Sequence, residues 1–557
     1  MKTRSRLLPL SALAWALSLV GPTNAQTVTT SADVVDVSGS ATVADLPGPD
    51  GVVSLREALL ASDNTPGRQT IDFAIPPSDW PGHPAQPGQV LVLANSSFSA
   101  VDSVVIDGAS QTTFSGDTYP DGNEVTLQRG LRLRGDDSEA YGLHWTDLTL
   151  EGDQSVLRDN TGGADLTVLL AAGCALRNNE ADTIEISYSS GNTIAGNVAE
   201  RVRIWGFSSD LATGNVIGGP DAADRNYLTG WGNVGEHGSV AGTTVELYNT
   251  DQTLIQNNWI GTTPDGMDIG NRASTVGIGV YSGNRRLEIR DNLIAISARL
   301  FGGTTGPAKG TPILLELYDG AQEVEIYGNS LGLNARGKPV LGGEVGIWVS
   351  RHVFEFPSDV RIGGTNPGEG NTIAGHEGAG ILMWNGPGVP AVGRVRVSGN
   401  SIHDNLGTGI DLMPNTWDFG PTPNDPMDAD DGANGLQNTP VLLAAQCVAG
   451  GLQVAGTLAS EPSRAYTIEV FATPTCDPSG FGQGEVFLGS TPVTTDAQGS
   501  AAFLVGLPPV PAGWVVSATA TSEPGGATSE FSACRTVQGH ARWDPSPKAS
   551  TPGPSPR

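Results

Sequence analysis

Six aspartates crowd one short stretch of the chain: Asp411, Asp418, Asp425, Asp428, Asp430 and Asp431, with Asn415, Asn424 and Asn434 among them. Ca²⁺ takes six to eight oxygen ligands, and closely spaced Asp and Asn around a glycine can supply them. Asp428, Asp430, Asp431, Gly432 and Asn434 follow one another in that order, without the EF-hand placement of Gly sixth and Glu twelfth. Together with Asp425 they are the expected ligands of a structural Ca²⁺. A solvated acidic connector is the competing reading.

A second chemistry needs carboxyl pairs. Glycosidases place two of them ~5–9.5 Å apart across a sugar, and strands stacked ~4.8 Å apart can offer that spacing. Glu185, Glu246, Glu288 and Glu325 each stand between apolar strand residues, and Asp291 ends such a strand. A polysaccharide lyase needs in addition a cation against a uronate, and Arg201, Arg203, Arg285, Arg286 and Arg290 are placed for it. The catalytic candidates are Glu288, Arg290, Asp291, Glu325 and Arg203, although alternating charge is also what any stacked β-surface shows. Trp205, Trp231, Trp348 and Trp384 lie in or beside strands and are the candidates for stacking on sugar rings. The chain holds no zinc-ligand spacing, nucleophile elbow, phosphate-binding loop or dinucleotide fingerprint.

The elements that position these residues come from repetition. Residues 217–230, IGGPDAADRNYLTG, return as residues 362–375, IGGTNPGEGNTIAG, at an offset of 145. An Asn-ended phrase recurs at Asn160, Asn179, Asn197 and Asn215, in steps of 19, 18 and 18, and again at Asn258, Asn292, Asn329 and Asn400. A period near 18–22 is too short for paired helices and fits one turn of a parallel β-solenoid. Gly and Asn tolerate the positive φ of sharp bends, and an inward Asn stacked over its equivalents satisfies turn backbone groups. Between bends the strands alternate, as in Ile184-Glu185-Ile186, Val202-Arg203-Ile204 and Leu287-Glu288-Ile289. Apolar residues then face a core and charges face out. Two Gly-turned phrases, residues 260–271 and 331–343, read as hairpins. Asp265 and Asp268 in the first are therefore turn residues rather than a metal pair.

The remaining segments frame this stack. Residues 1–25 have a basic start, an apolar run and small residues ending at Ala25, the layout of a secretory signal peptide. Residues 26–89 are expected to cap the first open tier: a strand near 34–37, then a short helix opened by a Ser54–Glu57 capping box. Residues 90–412 form the stack, and 413–440 the acidic connector. Residues 441–537 show short strands parted by Gly, Pro and Asp, the spacing of an immunoglobulin-like sandwich. Residues 538–557 are Pro- and Ser-rich and read as a disordered tail. With 30 Lys and Arg against 59 Asp and Glu, the formal charge is −29. That excludes nucleic acid, whose phosphates demand basic clusters. No segment approaches the ~20 apolar residues of a membrane span. The expected state is a monomer.

Ser54-Leu-Arg-Glu-Ala-Leu59, followed by the IGGT and GEGNTIAG phrases, resembles the bacterial CSLREA-domain proteins. Val53 stands where that group carries its leading Cys. The resemblance implies export and a right-handed parallel β-helix of the pectate-lyase-like kind, and it covers most of the chain. Residues 409–412 and 422–440 resemble the close of that helix, and the final module resembles its β-sandwich partner. A disulfide between Cys476 and Cys534 is the expected pairing there. The fold expected is thus all-β, a right-handed parallel β-helix followed by an Ig-like β-sandwich. The function expected is binding or degradation of an extracellular polysaccharide, with a non-catalytic surface or adhesion protein as the alternative.

Overall fold

The structure, a computed structural model, describes residues 25–81, 88–120, 122–144, 147–230, 233–234, 240–268, 276–296, 310–317, 322–340, 343–351, 359–385, 394–414 and 419–539. The expected signal segment, apart from Ala25, and the end of the Pro-rich tail lie outside these residues. The fold is all-β with long parallel sheets, 46% strand against 7% helix. Among the described residues no helix is long and apolar enough to cross a membrane. The chain divides into two compact units, residues 1–144 and 145–557.

In the first unit, Ala25–Val28 pairs in parallel with Gln69–Phe73, which pairs with Val104–Asp107, which pairs with Glu139–Tyr141. The helix Leu55–Asp63 packs against Ala25–Val28 and Phe98–Ala100. Its capping box is formed: Ser54 accepts from the Glu57 N–H, and Glu57 accepts from the Ser54 N–H. Residues 34–37 form no strand. Val34 and Val35 are exposed, while Glu57 takes the Asp36 N–H and Asp33 takes Arg56. The local polar bonds of this segment replace a sheet partner.

The second unit is built on parallel ladders. One runs through Val156–Arg158, Ala175–Arg177, Thr193–Ala195, Val216–Gly218, Leu254–Gln256, Arg285–Arg290, Gln322–Tyr327, Asp359–Gly363 and Arg394–Ser398. The other runs from Asp147–Leu150 through Asp165–Leu169 and Glu180–Ser187 to Val198–Trp205, where it forks. The first half of Val198–Trp205 pairs with Tyr227–Leu228 and leads on to Ser401–His403. Its second half pairs with Thr243–Tyr248 and leads on to Ile410–Met413. Every tier sends Ile, Leu or Val inward, among them Ile186, Ile204, Leu247, Ile289 and Ile326, all fully buried.

Nine buried asparagines run through this unit in one file: Asn160, Asn179, Asn197, Asn226, Asn258, Asn292, Asn329, Asn371 and Asn400. Each side-chain amide donates to the next carboxamide oxygen at 2.8–3.0 Å. The oxygen of Asn292 also accepts the Asn258 N–H, and its amide donates to the Ile255 carbonyl, both at 2.9 Å. Asn215 is not in this file, although its spacing placed it there. It stands in a separate stack below Asn192, and Asn226 occupies the tier instead. The IGG phrase follows from the same file. Gly218 and Gly363 have φ of +89° and +82°, and a Cβ there would lie 2.8 Å and 2.3 Å from the oxygens of Asn258 and Asn400.

Residues 441–536 form antiparallel sheets: Val441–Val448, Gly451–Ala459 and Ser500–Leu507 in one, Val486–Thr494, Ala465–Thr473, Val515–Glu523 and Arg535–Thr536 in another. Leu452, Val454, Tyr466, Ile468, Val470, Phe503 and Val516 are among their shared core. A disulfide joins Cys476 to Cys534. This module closes the end of the parallel stack. Gln483 accepts the Asn405 N–H at 3.2 Å and donates to its carbonyl at 2.7 Å, while Ile402 and Gly484 exchange both backbone bonds. Arg396 is held by both oxygens of Glu523. Glu530, buried, accepts the N–H groups of Leu412 and Thr422 at 2.9 and 2.7 Å. Carboxylates and a carboxamide thus satisfy an edge that otherwise stays open.

Two predictions follow from these buried groups. Asn292→Ala strands two donors of Asn258 and the Ile255 carbonyl, while the Asn329 oxygen keeps the backbone N–H of residue 292, so it should cost about 3–5 kcal/mol in denaturant unfolding. Burial pushes Glu530 up to about 8 from 4.5, so its contribution to stability is complete at low pH and is lost as pH rises through 8. His376 is buried and lowered to about 4 from 6.5, so it acts in the opposite sense, but only below 6.5. The Tm should therefore fall between pH 6.5 and 8, and Glu530→Gln should flatten that slope.

Candidate functional site

The outward face of the forked ladder brings together a row of aromatic and charged side chains. Register sets Glu185, Arg203 and Glu246 on consecutive tiers, and beside them Ser187, Trp205 and Tyr248. Trp205 stacks on Tyr248 at 4.5 Å between centroids, and Tyr248 stacks on Tyr281 at 4.7 Å. Gly279 makes room for the last ring, since a Cβ there would lie 2.7 Å from it. The Arg203 guanidinium lies 4.6 Å over the Trp205 ring, with Nε 2.8 Å from Glu246 and Nη1 3.7 Å from Glu185. The Tyr281 hydroxyl meets Thr243 at 2.8 Å. Burial raises the pKa of Tyr281, and burial followed by the Glu246 charge raises that of Tyr248. Both phenols stay protonated donors at neutral pH.

At the corner after these strands, Leu170, Tyr188 and Asn249 occupy equivalent places, each donating its N–H to the carbonyl of the following tier. All three have φ between +51° and +55°. Asn visits that region readily, whereas a bulky side chain there is strained by about 1–2 kcal/mol. Leu170 is 70% exposed, and Tyr188 is 39% exposed and stacks at 4.0 Å on Phe207, itself 50% exposed. The same left-handed conformation recurs elsewhere in this unit, at Gln154, Gln252, Arg286 and Glu323, so what distinguishes Leu170 and Tyr188 is the large side chain placed there. Tyr188 and Phe207 leave their outer faces to solvent, and Trp205, Tyr248 and Tyr281 extend the patch across the sheet.

Of the four tryptophans expected to bind, only Trp205 belongs to this patch. Trp348 and Trp384 are buried in an apolar cluster with Leu314, Leu382 and Met413, so they serve packing. Trp231 lies outside the described residues. Tyr188, Phe207, Tyr248 and Tyr281 were missed by the sequence reading. The available signal was the 18-residue step from Ser187 to Trp205, which sets Tyr188 and Gly206 at one corner.

The five catalytic candidates divide. Arg203 stands on the forked ladder, and Glu288, Arg290, Asp291 and Glu325 stand on the other. Glu288 and Glu325 are direct neighbours in register, a spacing of ~4.8 Å that suits a glycosidase pair. Each is already engaged. Arg290 holds Glu288 at 2.7 Å and Asp291 at 2.9 Å, and the Tyr327 hydroxyl donates to Glu288. Arg361 lies 3.6 Å from Glu325 and 2.6 Å from Glu369. These side chains form ion pairs within tiers, at Arg290–Glu288 and Arg361–Glu369, and between tiers, at Arg361–Glu325.

The acidic stretch also resolves. Oxygens of Asp425, Asp428 and Asp430 lie within 4.8 Å of one another. Asp428 accepts from Ser460 at 2.6 Å and from the Asn438 N–H at 2.9 Å, and burial, with the charges of Asp430 and Asp425, pushes it up to about 6. Three crowded carboxylates suit a cation. Asp431 stands outside the cluster, and Asn434 is used elsewhere, bonding Val395 and the Thr528 carbonyl. Asp411 bonds the Gly420 N–H, and Asp418 lies outside the described residues. Asp265 caps its own turn through Thr263 and the Met267 N–H. Comparison with protein-family models and with the curated proteins finds no match for this chain.

Proposed function

We propose that this is an exported protein that binds an extracellular polysaccharide along the face formed by Leu170, Tyr188, Phe207, Trp205, Tyr248 and Tyr281. The observation that carries the reading is the exposed Tyr188–Phe207 stack, with Tyr188 held at positive φ beside the Trp205–Tyr248–Tyr281 row. Sugar rings present apolar faces and hydroxyl edges, and aromatic rings with neutral phenol donors meet both. In this reading the parallel ladders are the coils of a right-handed β-helix, the usual hand of a parallel crossover. The closing module is an immunoglobulin-like sandwich, and kinship with the CSLREA-domain proteins rests on residues 54–59 and the IGG phrases. The engaged state of Glu288 and Glu325 favours binding without turnover, which leaves the alternative of a non-catalytic surface protein compatible with glycan contact. Ca²⁺ held by Asp425, Asp428 and Asp430 is part of the proposal as a structural ion.

Affinity electrophoresis on a polysaccharide panel, with reducing-end and unsaturated-product assays alongside, tests the function. Retardation by at least one polymer without product release is expected. Tyr188→Asn combined with Phe207→Ser should weaken binding about tenfold or more, the loss of two stacking contacts worth ~0.5–1.5 kcal/mol each. The same pair should leave the Tm near its parent value, because Asn relieves the strain at position 188. Equal retardation of parent and variant would remove this face from the function. For the metal, chelator should lower the Tm and Ca²⁺ restore it, with Asp428→Asn insensitive to both; an unchanged melt discards the ion.

A further inference from the structure

We infer that the polymer bound on this face is uncharged, and that the face turns away polyanions such as uronate or sulfated chains. This deepens the glycan-binding reading and rests on it. The argument comes from how the positive charges of the face are used.

Two guanidiniums lie among the aromatic rings, Arg201 and Arg203. Arg203 is already paired with acids of its own sheet. Its plane covers Trp205, its Nε bonds Glu246 on the next tier, and Nη1 faces Glu185 on the tier before. A guanidinium recognises an anion through its planar fork, and here that fork is bracketed by two acids of the same sheet. Burial, then the Arg203 charge, lowers the pKa of Arg201, while the charges of Glu246, Asp165 and Glu185 act in the opposite direction.

Among these rings and cations stand four carboxylates: Asp165, Glu185 and Glu246 on the strands, and Glu316, whose charge raises both Tyr248 and Tyr281. The local balance is negative, within a chain of net charge −29. Like charges repel one another more strongly beside a protein surface than in open water. A polyanion lying along several tiers meets that repulsion repeatedly. A neutral chain meets none of it, and it retains the ring stacking and the protonated phenols of Tyr248 and Tyr281 as donors.

The experiment uses the full chain and matched polymers that share a backbone and differ in charge: hydroxyethyl against carboxymethyl cellulose, dextran against carboxymethyl dextran, and methyl-esterified against de-esterified homogalacturonan. Affinity is measured at about 10 mM and about 150 mM salt, where the Debye length is ~30 Å and ~8 Å. The expected result is binding of at least one neutral polymer tenfold or more tighter than its anionic match at low salt, with the gap narrowing at the higher salt. Glu246→Gln, which releases Arg203 and removes a negative charge, should narrow the gap several-fold at low salt. An anionic polymer bound as tightly as its neutral match, or more tightly, overturns the inference and leaves glycan binding standing. Binding of neither member of any pair overturns both.

Discussion

A carboxamide has two donors on its nitrogen and two lone pairs on its oxygen, and the second unit uses this to solve its hardest packing problem. Each tier must turn sharply inside a dry interior, where backbone N–H and C=O groups at the bend find no ladder partner. One buried Asn per tier accepts an N–H from the tier before and gives its amide to a backbone carbonyl and to the next Asn. The bonds run along the stack, so each polarises its neighbours. Tier spacing, the glycines at positions 218 and 363 and the direction in which each strand leaves the bend all depend on that file.

The outward faces show two different uses of one regular scaffold. On the ladder through Glu288 and Glu325, acids and bases pair within and between tiers and continue into the closing module through Arg396 and Glu523. On the forked ladder, aromatic rings stand in a row beside Arg203, which is paired with Glu246 and Glu185 within the sheet. The first face ties tiers together. The second carries exposed aromatic and apolar side chains, with Tyr188 and Leu170 held at positive φ. A rigid stack suits such a surface, because side chains on paired strands hold their spacing better than side chains on loops.

The closing module extends the same logic to the end of the stack. An open parallel edge would expose unpaired backbone groups, and Gln483, Glu469 and Glu530 take their place from the facing sheets. Burying carboxylates there has a consequence at neutral pH, because Glu530 is easiest to bury protonated.

Much of the architecture was legible in the residues themselves. The Asn-ended phrases, the paired glycines, the alternating strands and the Ser54–Glu57 box each encode a local conformation, and local conformation is what residue type and spacing control. The site was legible only in fragments, Trp205 and Arg203, because which side chains share a face depends on how many residues lie in each turn. Tiers of this chain vary in length, so Asn215 left the main file, Asn226 entered it, and Tyr248 came to lie under Trp205. The acidic stretch shows the same limit. Composition could gather six aspartates, but loop geometry chose Asp425, Asp428 and Asp430 and gave Asn434 to the backbone. By itself, then, the sequence determined the repeating unit, its inward and outward faces and its bends. The tertiary structure alone decided which outward residues meet, because register between distant segments is set by cooperative packing of whole tiers rather than by any single phrase.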